Sequence, residues 1–257
     1  MAVDEYLLLG DAVRRALGLD LSYYKREQME RRLKAYAAQH GYGDLRGLAA
    51  ALGQDRALGA DLLSYLTIHV SEFFRDPGFF ASLKELLPAV GARPGTSLQA
   101  WSAGCSIGAE AYTLAMLLRE EHGPLFKILA TDVDDKSLGR AAEGLYREDE
   151  LKKVDGDRLN RYFTREDGRY RVKDDLRGPI TFRHHDLLSD PYPVAQDLIL
   201  FRNVAIYFTE EAKGKVLAGF AQALAPQGLL MVGATEAILR PQELGLRQVR
   251  PFCFTRA

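Results

Sequence analysis

Residues 98–132 constrain the architecture of this chain more than any other stretch. Around Trp101 the sequence reads WSAGCSIGAEAYTLAMLL, an apolar strand that breaks at Gly104 and restarts as a helix. Further on comes KILATDVDD, a second apolar strand that ends in acidic residues. A strand, a glycine turn, a helix and a strand with a terminal carboxylate form half of a nucleotide-type cofactor site. Glycine lets the backbone approach a ligand closely. A carboxylate at the next strand end can accept hydrogen bonds from ribose hydroxyls.

The same alternation runs through the rest of the chain. Strands are expected at about 98–103, 127–132, 197–201 and 228–233, and helices at about 108–121, 135–143 and 209–224. Strands alternating with helices predict an α/β fold with a mostly parallel sheet covered on both faces. The closing stretch RQVRPFCFTR reads as one final strand. Asp167-Gly168 lies between two short aromatic and β-branched runs, a hairpin signal. It predicts a small antiparallel insertion at about 160–175, after which the sheet resumes near Ile180.

Residues 4–70 show helical spacing and no strand pattern, as in Tyr6, Leu7, Val13 and Leu17. Ser22 is placed as the cap of a long helix reaching Gln39, which the Gly41-Tyr42-Gly43 turn ends, with shorter helices near 44–52 and 57–68. The long helix carries Lys25, Arg26, Arg31, Arg32 and Lys34, either a solvated salt-bridged face or a docking surface for an acidic partner. The segment HVSEFFRDPGFF then interrupts the helical pattern, and Pro77 discourages its continuation. Pro88, Pro94 and Gly95 mark a turn before the first strand. The expected division is a helical domain with linker over 1–80 and an α/β domain over 81–257, with the inserted hairpin region at about 155–178.

Composition removes several function classes. Of 257 residues, Lys plus Arg number 34 and Asp plus Glu 35, a formal net charge of -1, so no global field draws the protein to nucleic acid or an acidic membrane. No apolar run approaches the length of a spanning helix, and MAVDEYLLLGDAV lacks the basic start of a signal peptide. Two cysteines, Cys105 and Cys253, fit a reducing cytoplasm and show no metal-ligand spacing. A cytoplasmic location and no metal are therefore expected.

The glycine turn has neither the GxGxxG of a dinucleotide site nor the GxxxxGKS of a P-loop, which argues against both. Other strand ends add candidates. Asp186 closes a strand in HHDLL and could accept from an exocyclic amine. LILFRNVAIYF stops at Arg202-Asn203-Val204, where open α/β sheets bind ligands. A buried strand ending in polar residues needs partners for them. His184 and His185 sit at a strand edge without ligand spacing and read as structural or exposed. Cys105 reads as a small packing residue, and Phe73-Phe74 and Phe79-Phe80 as core wedges.

These segments, taken in order, resemble the chemotaxis receptor methyltransferases, the CheR family, over nearly the whole chain. HVSEFFRDP is similar to that family's xVTxFFRxP segment, and WSAGCSIGAEAYTLAM to its WSAGCSTGEEPYSLAM. ATDVDDKSLGRAAEGLY, LFRNVAIYF and LAPQGLLMVGATE also have counterparts. The resemblance implies a Rossmann-like S-adenosylmethionine methyltransferase domain and an N-terminal all-α domain. It implies methyl transfer from S-adenosylmethionine to glutamate side chains of methyl-accepting chemotaxis receptors, with S-adenosylhomocysteine as product. The implied partner is a receptor cytoplasmic domain. Neither nucleic-acid binding nor membrane insertion is implied, and the protein is expected to act as a monomer.

The implied site residues follow from the matched segments. Gly104 to Gly108, with Glu110, resemble the loop beside the methionine part of the cofactor. One of Asp132 and Asp134, with Asp134 preferred, would hold the ribose. Asp186 and Leu187 match a pair near the adenine, and Asn203 and Val204 a pair on the cofactor's other side. Arg75 matches the arginine that holds the substrate carboxylate, Ser71 a nearby threonine and His69 a common asparagine, and all three border the cofactor. Tyr207 lies close to the same mouth. The pattern departs at Ala109 and Ala111, where the family has the first glutamate and the proline of GEEP, and at Phe201, where it has cysteine. If the cofactor carboxylate is the first of those glutamates, this chain has lost it; if the second, Glu110 keeps it. Two other functions remain: a cofactor-binding scaffold with weak or no turnover, and a carboxyl methyltransferase for small molecules.

Overall fold

The structure, a computed structural model, describes residues 4–67, 71–90 and 97–256. His69, Pro94 and Gly95 lie outside the described residues. The chain divides into two compact units, one of residues 1–69 with 205–215, the other of 70–204 with 216–257.

The first unit holds α1 (Glu5–Leu17), α2 (Arg26–Gln39), α3 (Leu45–Leu52) and α4 (Arg56–Leu66). Asp4, Asp44 and Asp55 cap α1, α3 and α4 by accepting from first-turn amides, which satisfies donors that a helix start leaves open. The second helix begins later than its sequence suggested. Asp20, not Ser22, is the cap residue here: it accepts from the Ser22 amide and starts a short 3₁₀ turn over Leu21–Tyr23, so α2 opens at Arg26. Leu9, Val13, Leu33, Tyr36, Leu48 and Leu62 form its buried interior. Residues 205–215 complete this unit. The Lys25 amide donates to the Tyr207 carbonyl at 2.8 Å and the Thr209 amide to the Tyr23 carbonyl at 2.9 Å, flanking an antiparallel bridge between Tyr24 and Phe208.

The basic face of α2 is largely paired. Glu30 takes Arg26 at 3.2 Å and Lys34 at 2.8 Å, and Asp4 takes Arg26 at 2.7 Å. The Arg32 guanidinium lies 5.0 Å from the Tyr65 ring centre and 5.6 Å from that of Tyr207.

The second unit opens with α5 (Pro77–Leu86), followed by β1 (Leu98–Ala103), α6 (Ala109–Glu121), β2 (Phe126–Asp132) and α7 (Asp135–Glu143). A small subdomain comes next: β3 (Leu145–Tyr146), α8 (Gly156–Tyr162), β4 (Phe163–Glu166), β5 (Arg169–Val172) and α9 (Asp174–Arg177). The sheet resumes with β6 (Ile180–His184) and β7 (Gln196–Phe201). Helix α10 (Glu210–Ala223), β8 (Leu224–Val232), β9 (Leu246–Arg250) and β10 (Cys253–Arg256) close the chain. The main sheet has the order β6-β2-β1-β7-β8-β10-β9. Its first five strands are parallel and its last two antiparallel. The expected single terminal strand is a hairpin: Phe252 takes a positive φ of 61° and turns the chain without a glycine.

Strands β1 and β7 are buried almost throughout, as is the first part of α6. That is the signature of central elements covered on both sides. The expected Asp167-Gly168 hairpin forms, with φ of 46° and 75° at its two turn residues. Positive φ at both positions matches the twist of the flanking strands. The hairpin joins β3 in a three-stranded antiparallel sheet ordered β3-β5-β4.

Candidate active site

The order of the main sheet sets the place of a site. The chain runs outward from β1 to β2 and β6, then crosses back to β7 on the other side of β1. Ligands of open α/β sheets bind beyond the strand ends at such a reversal. Here that point lies between the turn after β1 and the turn after β7, and both are shaped for close approach. Gly104 has a φ of 82°, and a Cβ built on it would lie 2.3 Å from Cγ2 of Val204. Only glycine lets the two loops come this near. Ser106 and Gly108 also have positive φ, 49° and 84°.

Asp132, at the end of β2, organises the first loop. One carboxylate oxygen accepts from the Ser106 amide at 2.8 Å and the other from the Asp134 amide at 3.0 Å. A carboxylate can accept about four hydrogen bonds, and Asp132 is only half-buried. Asp134 behaves differently. It is 2% exposed and caps α7, accepting from the Lys136 amide and the Ser137 hydroxyl. The Asp134 carboxylate is turned inward to the helix start, whereas that of Asp132 stands half-buried at the end of β2. Asp186 also spends its carboxylate locally, on the Leu188 amide at 2.9 Å and the Ser189 hydroxyl at 3.0 Å. It shapes the loop that carries buried Leu187. Its expected contact with an exocyclic amine would have to use the remaining lone pairs.

The second loop is held by a residue that strand patterning did not single out. Glu236 is fully buried, and its two oxygens accept from the amides of Asn203 at 3.1 Å and Val204 at 3.2 Å. Asn203 has a φ of 58°, which asparagine tolerates better than most residues. In the first turn of α6, Glu110 accepts from the Ser102 hydroxyl at 2.9 Å and faces Arg202 at 3.3 Å. Burial pushes the Glu110 carboxyl above its usual range, and the Arg202 charge offsets part of that rise.

Arg75 and Ser71 lie on the segment that leads into α5, and both are half-buried. The neighbouring acids are engaged elsewhere: Glu72 pairs with Lys153 at 2.6 Å and Asp76 with Arg202 at 2.6 Å. Phe73, Phe74 and Phe80 belong to the core of the sheet unit. Tyr207 belongs to the helical unit, as described above. His184 meets Asp135, and His185 is buried against the Pro191 carbonyl, so both histidines have structural partners. Among the described residues, no His/Cys/Asp/Glu group is arranged to hold a metal ion, and no helix is long and apolar enough to cross a membrane.

Comparison with known proteins decides between the remaining readings of this crevice. The family model for the CheR methyltransferase SAM binding domain matches residues 69–251, and that for the CheR methyltransferase all-alpha domain matches residues 4–67. The chain belongs to the CheR methyltransferase family. It is 36% identical over 254 residues to a chemotaxis protein methyltransferase of Listeria monocytogenes, covering 98% of this chain and 97% of that one. Against the chemotaxis protein methyltransferase of Escherichia coli K12 it is 32% identical over 230 residues, covering 85% and 79%. The fold is thus a Rossmann-like methyltransferase domain with an all-α N-terminal domain, and S-adenosylmethionine is the cofactor.

The residues present fit that cofactor. A half-buried carboxylate stands at the end of β2, and a turn without side-chain bulk at Gly104 faces Val204. The departures from the CheR pattern at Ala109 and Ala111 fall on side chains of the hydrophobic core, 1% and 0% exposed.

Replacing Glu236 by glutamine should weaken S-adenosylmethionine binding about tenfold and cost about 1–3 kcal/mol of stability, since one buried amide loses its acceptor. Calorimetric titration and denaturant unfolding measure the two effects. Unchanged affinity would mean that the Asn203-Val204 wall does not depend on this clamp.

Proposed function

We propose that this CheR-family chain methylates glutamate side chains in the cytoplasmic domains of chemotaxis receptors, giving glutamyl methyl esters and S-adenosylhomocysteine. The observation that carries the reading is the close approach of Gly104 and Val204 at the strand ends, beside the Asp132 carboxylate, in a chain whose relatives carry the name chemotaxis protein methyltransferase.

When bound, S-adenosylmethionine supplies an electrophilic methyl group on a sulfonium. Asp132 would accept from the ribose hydroxyls. The Gly104–Gly108 turn, with Glu110, would hold the methionine part, Asn203 and Val204 would wall the other side, and Asp186 and Leu187 would border the adenine. A glutamate substrate is already ionised at neutral pH, so no general base is required. The protein's task is alignment, worth several powers of ten when the reacting atoms are held close and in line. Arg75 holds one oxygen of the substrate carboxylate through its planar fork and leaves the other free to attack. Ser71, on the same segment as Arg75, serves the substrate end on the strength of the family resemblance, which also names His69 and Tyr207. The protein acts as a monomer in the cytoplasm.

Incubation with methyl-labelled S-adenosylmethionine and receptor-rich membranes tests this. Label should enter receptor-sized bands and leave as methanol on alkaline treatment, as expected of a carboxyl ester. Base-stable label, or label only in a small-molecule fraction, would overturn the proposal.

A further inference from the structure

The residues on either side of Arg75 are both strained. Phe74 and Asp76 have φ of 51° and 58°, a left-handed conformation that non-glycine residues rarely adopt and that persists only where the surroundings over-determine it. The source of that constraint is visible. The Phe74 amide donates to the Thr113 hydroxyl at 3.2 Å, and the Arg158 guanidinium lies 4.7 Å from the centre of its ring. On the other side stands Arg202, whose side chain is 4% exposed. One terminal nitrogen donates to the Asp76 carboxylate at 2.6 Å and to the Arg75 carbonyl at 3.1 Å. The other terminal nitrogen donates to Glu110 at 3.3 Å. The guanidinium also lies 4.0 Å from the Phe79 ring centre and 5.3 Å from that of Phe80.

One buried cation therefore ties together three pieces of the site: the end of β7, the first turn of α6 beside the cofactor loop, and the strained loop that carries Arg75. A buried ion pair is weak evidence for stability, because desolvation offsets much of its attraction. Its geometric effect is firmer, since a planar fork fixes direction as well as distance. Asp76 is 66% exposed at its side chain, so packing holds it little: its carbonyl accepts from the Phe79 amide at 2.9 Å and its carboxylate from Arg202.

We propose that Asp76 and Arg202 are positioning residues for Arg75. Their ion pair holds the strained Phe74-Arg75-Asp76 loop in the conformation that aims Arg75 at the substrate carboxylate, and through Glu110 it links that loop to the cofactor turn. This rests on the Arg75 role proposed above.

Asp76→Gly separates strain from function. Glycine accepts a φ of 58° freely, so the fold gains freedom while the ion pair is lost. The expected result is a melting temperature within a few degrees of the parent's, the relieved strain offsetting part of the lost ion pair, S-adenosylmethionine affinity within about twofold, and kcat for labelled transfer to receptor-rich membranes about tenfold down, the order expected of a small misplacement. Asp76→Asn, which keeps an acceptor oxygen and tolerates positive φ, should recover most of that loss. Combining Asp76→Gly with Arg75→Ala should add nothing to the defect of Arg75→Ala alone, because Asp76 acts through Arg75. Parental kcat in Asp76→Gly, or a fully additive double variant, overturns the proposal. If Arg75→Ala itself transfers methyl normally, the role of Arg75 fails and the positioning role falls with it; if only Asp76→Gly is unimpaired, the positioning role alone falls.

Discussion

Changing Arg75 to alanine is expected to lower methyl transfer by about 10²–10³-fold, the usual cost of losing one group that positions or stabilises charge at the reacting centre. S-adenosylmethionine affinity should stay within about twofold, since in the proposed mechanism the charge lost serves the substrate carboxylate. The pattern matters as much as the size. Arg75→Lys keeps the charge but loses the planar fork, and it should recover only a small part of the activity. Single-turnover transfer of labelled methyl, paired with calorimetric cofactor titration, measures both quantities. A variant that binds cofactor poorly and transfers in proportion would assign Arg75 to the cofactor instead.

The second large effect is expected at Asp132. Its carboxylate holds the Ser106 amide at 2.8 Å and the Asp134 amide at 3.0 Å, and the proposed ribose contacts come from the same oxygens. Hydrogen bonds to a charged group contribute about 1.5–3 kcal/mol each. Losing two ribose contacts in Asp132→Ala should therefore raise the dissociation constant for S-adenosylmethionine by at least about 100-fold. Asp134→Ala should behave otherwise. It removes the cap of α7 and should cost about 1 kcal/mol of stability, with a much smaller change in cofactor affinity. Reversed rankings in calorimetric titration would return the ribose to Asp134.

The alternation of strands and helices and the Asp167-Gly168 turn were legible because they depend on local periodicity and on turn chemistry. So were the two glycines at the ends of the crevice loop. What sequence alone could not resolve depends on distant partners. Strand patterning carries no sign that Glu236 clamps the amides of Asn203 and Val204, more than thirty residues earlier in the chain. It also cannot show which of two nearby aspartates faces inward. Asp132 is the last residue of β2 and Asp134 the cap of the next helix, and a shift of two positions separates a half-buried strand-end carboxylate from one spent on a helix start. The late start of α2 arose from a competing cap at Asp20, and the split of the terminal strand from a turn at Phe252 made without glycine.

The helical unit is discontinuous along the chain, since residues 205–215 supply the carbonyl that receives the Lys25 amide and the amide that reaches Tyr23. During synthesis at about 5–20 residues per second, its four helices leave the ribosome on the order of ten seconds before those closing residues exist. The amino-terminal part must therefore wait, incomplete, while most of the sheet is made. An excised fragment ending near residue 67 would expose the backbone groups that the late segment covers.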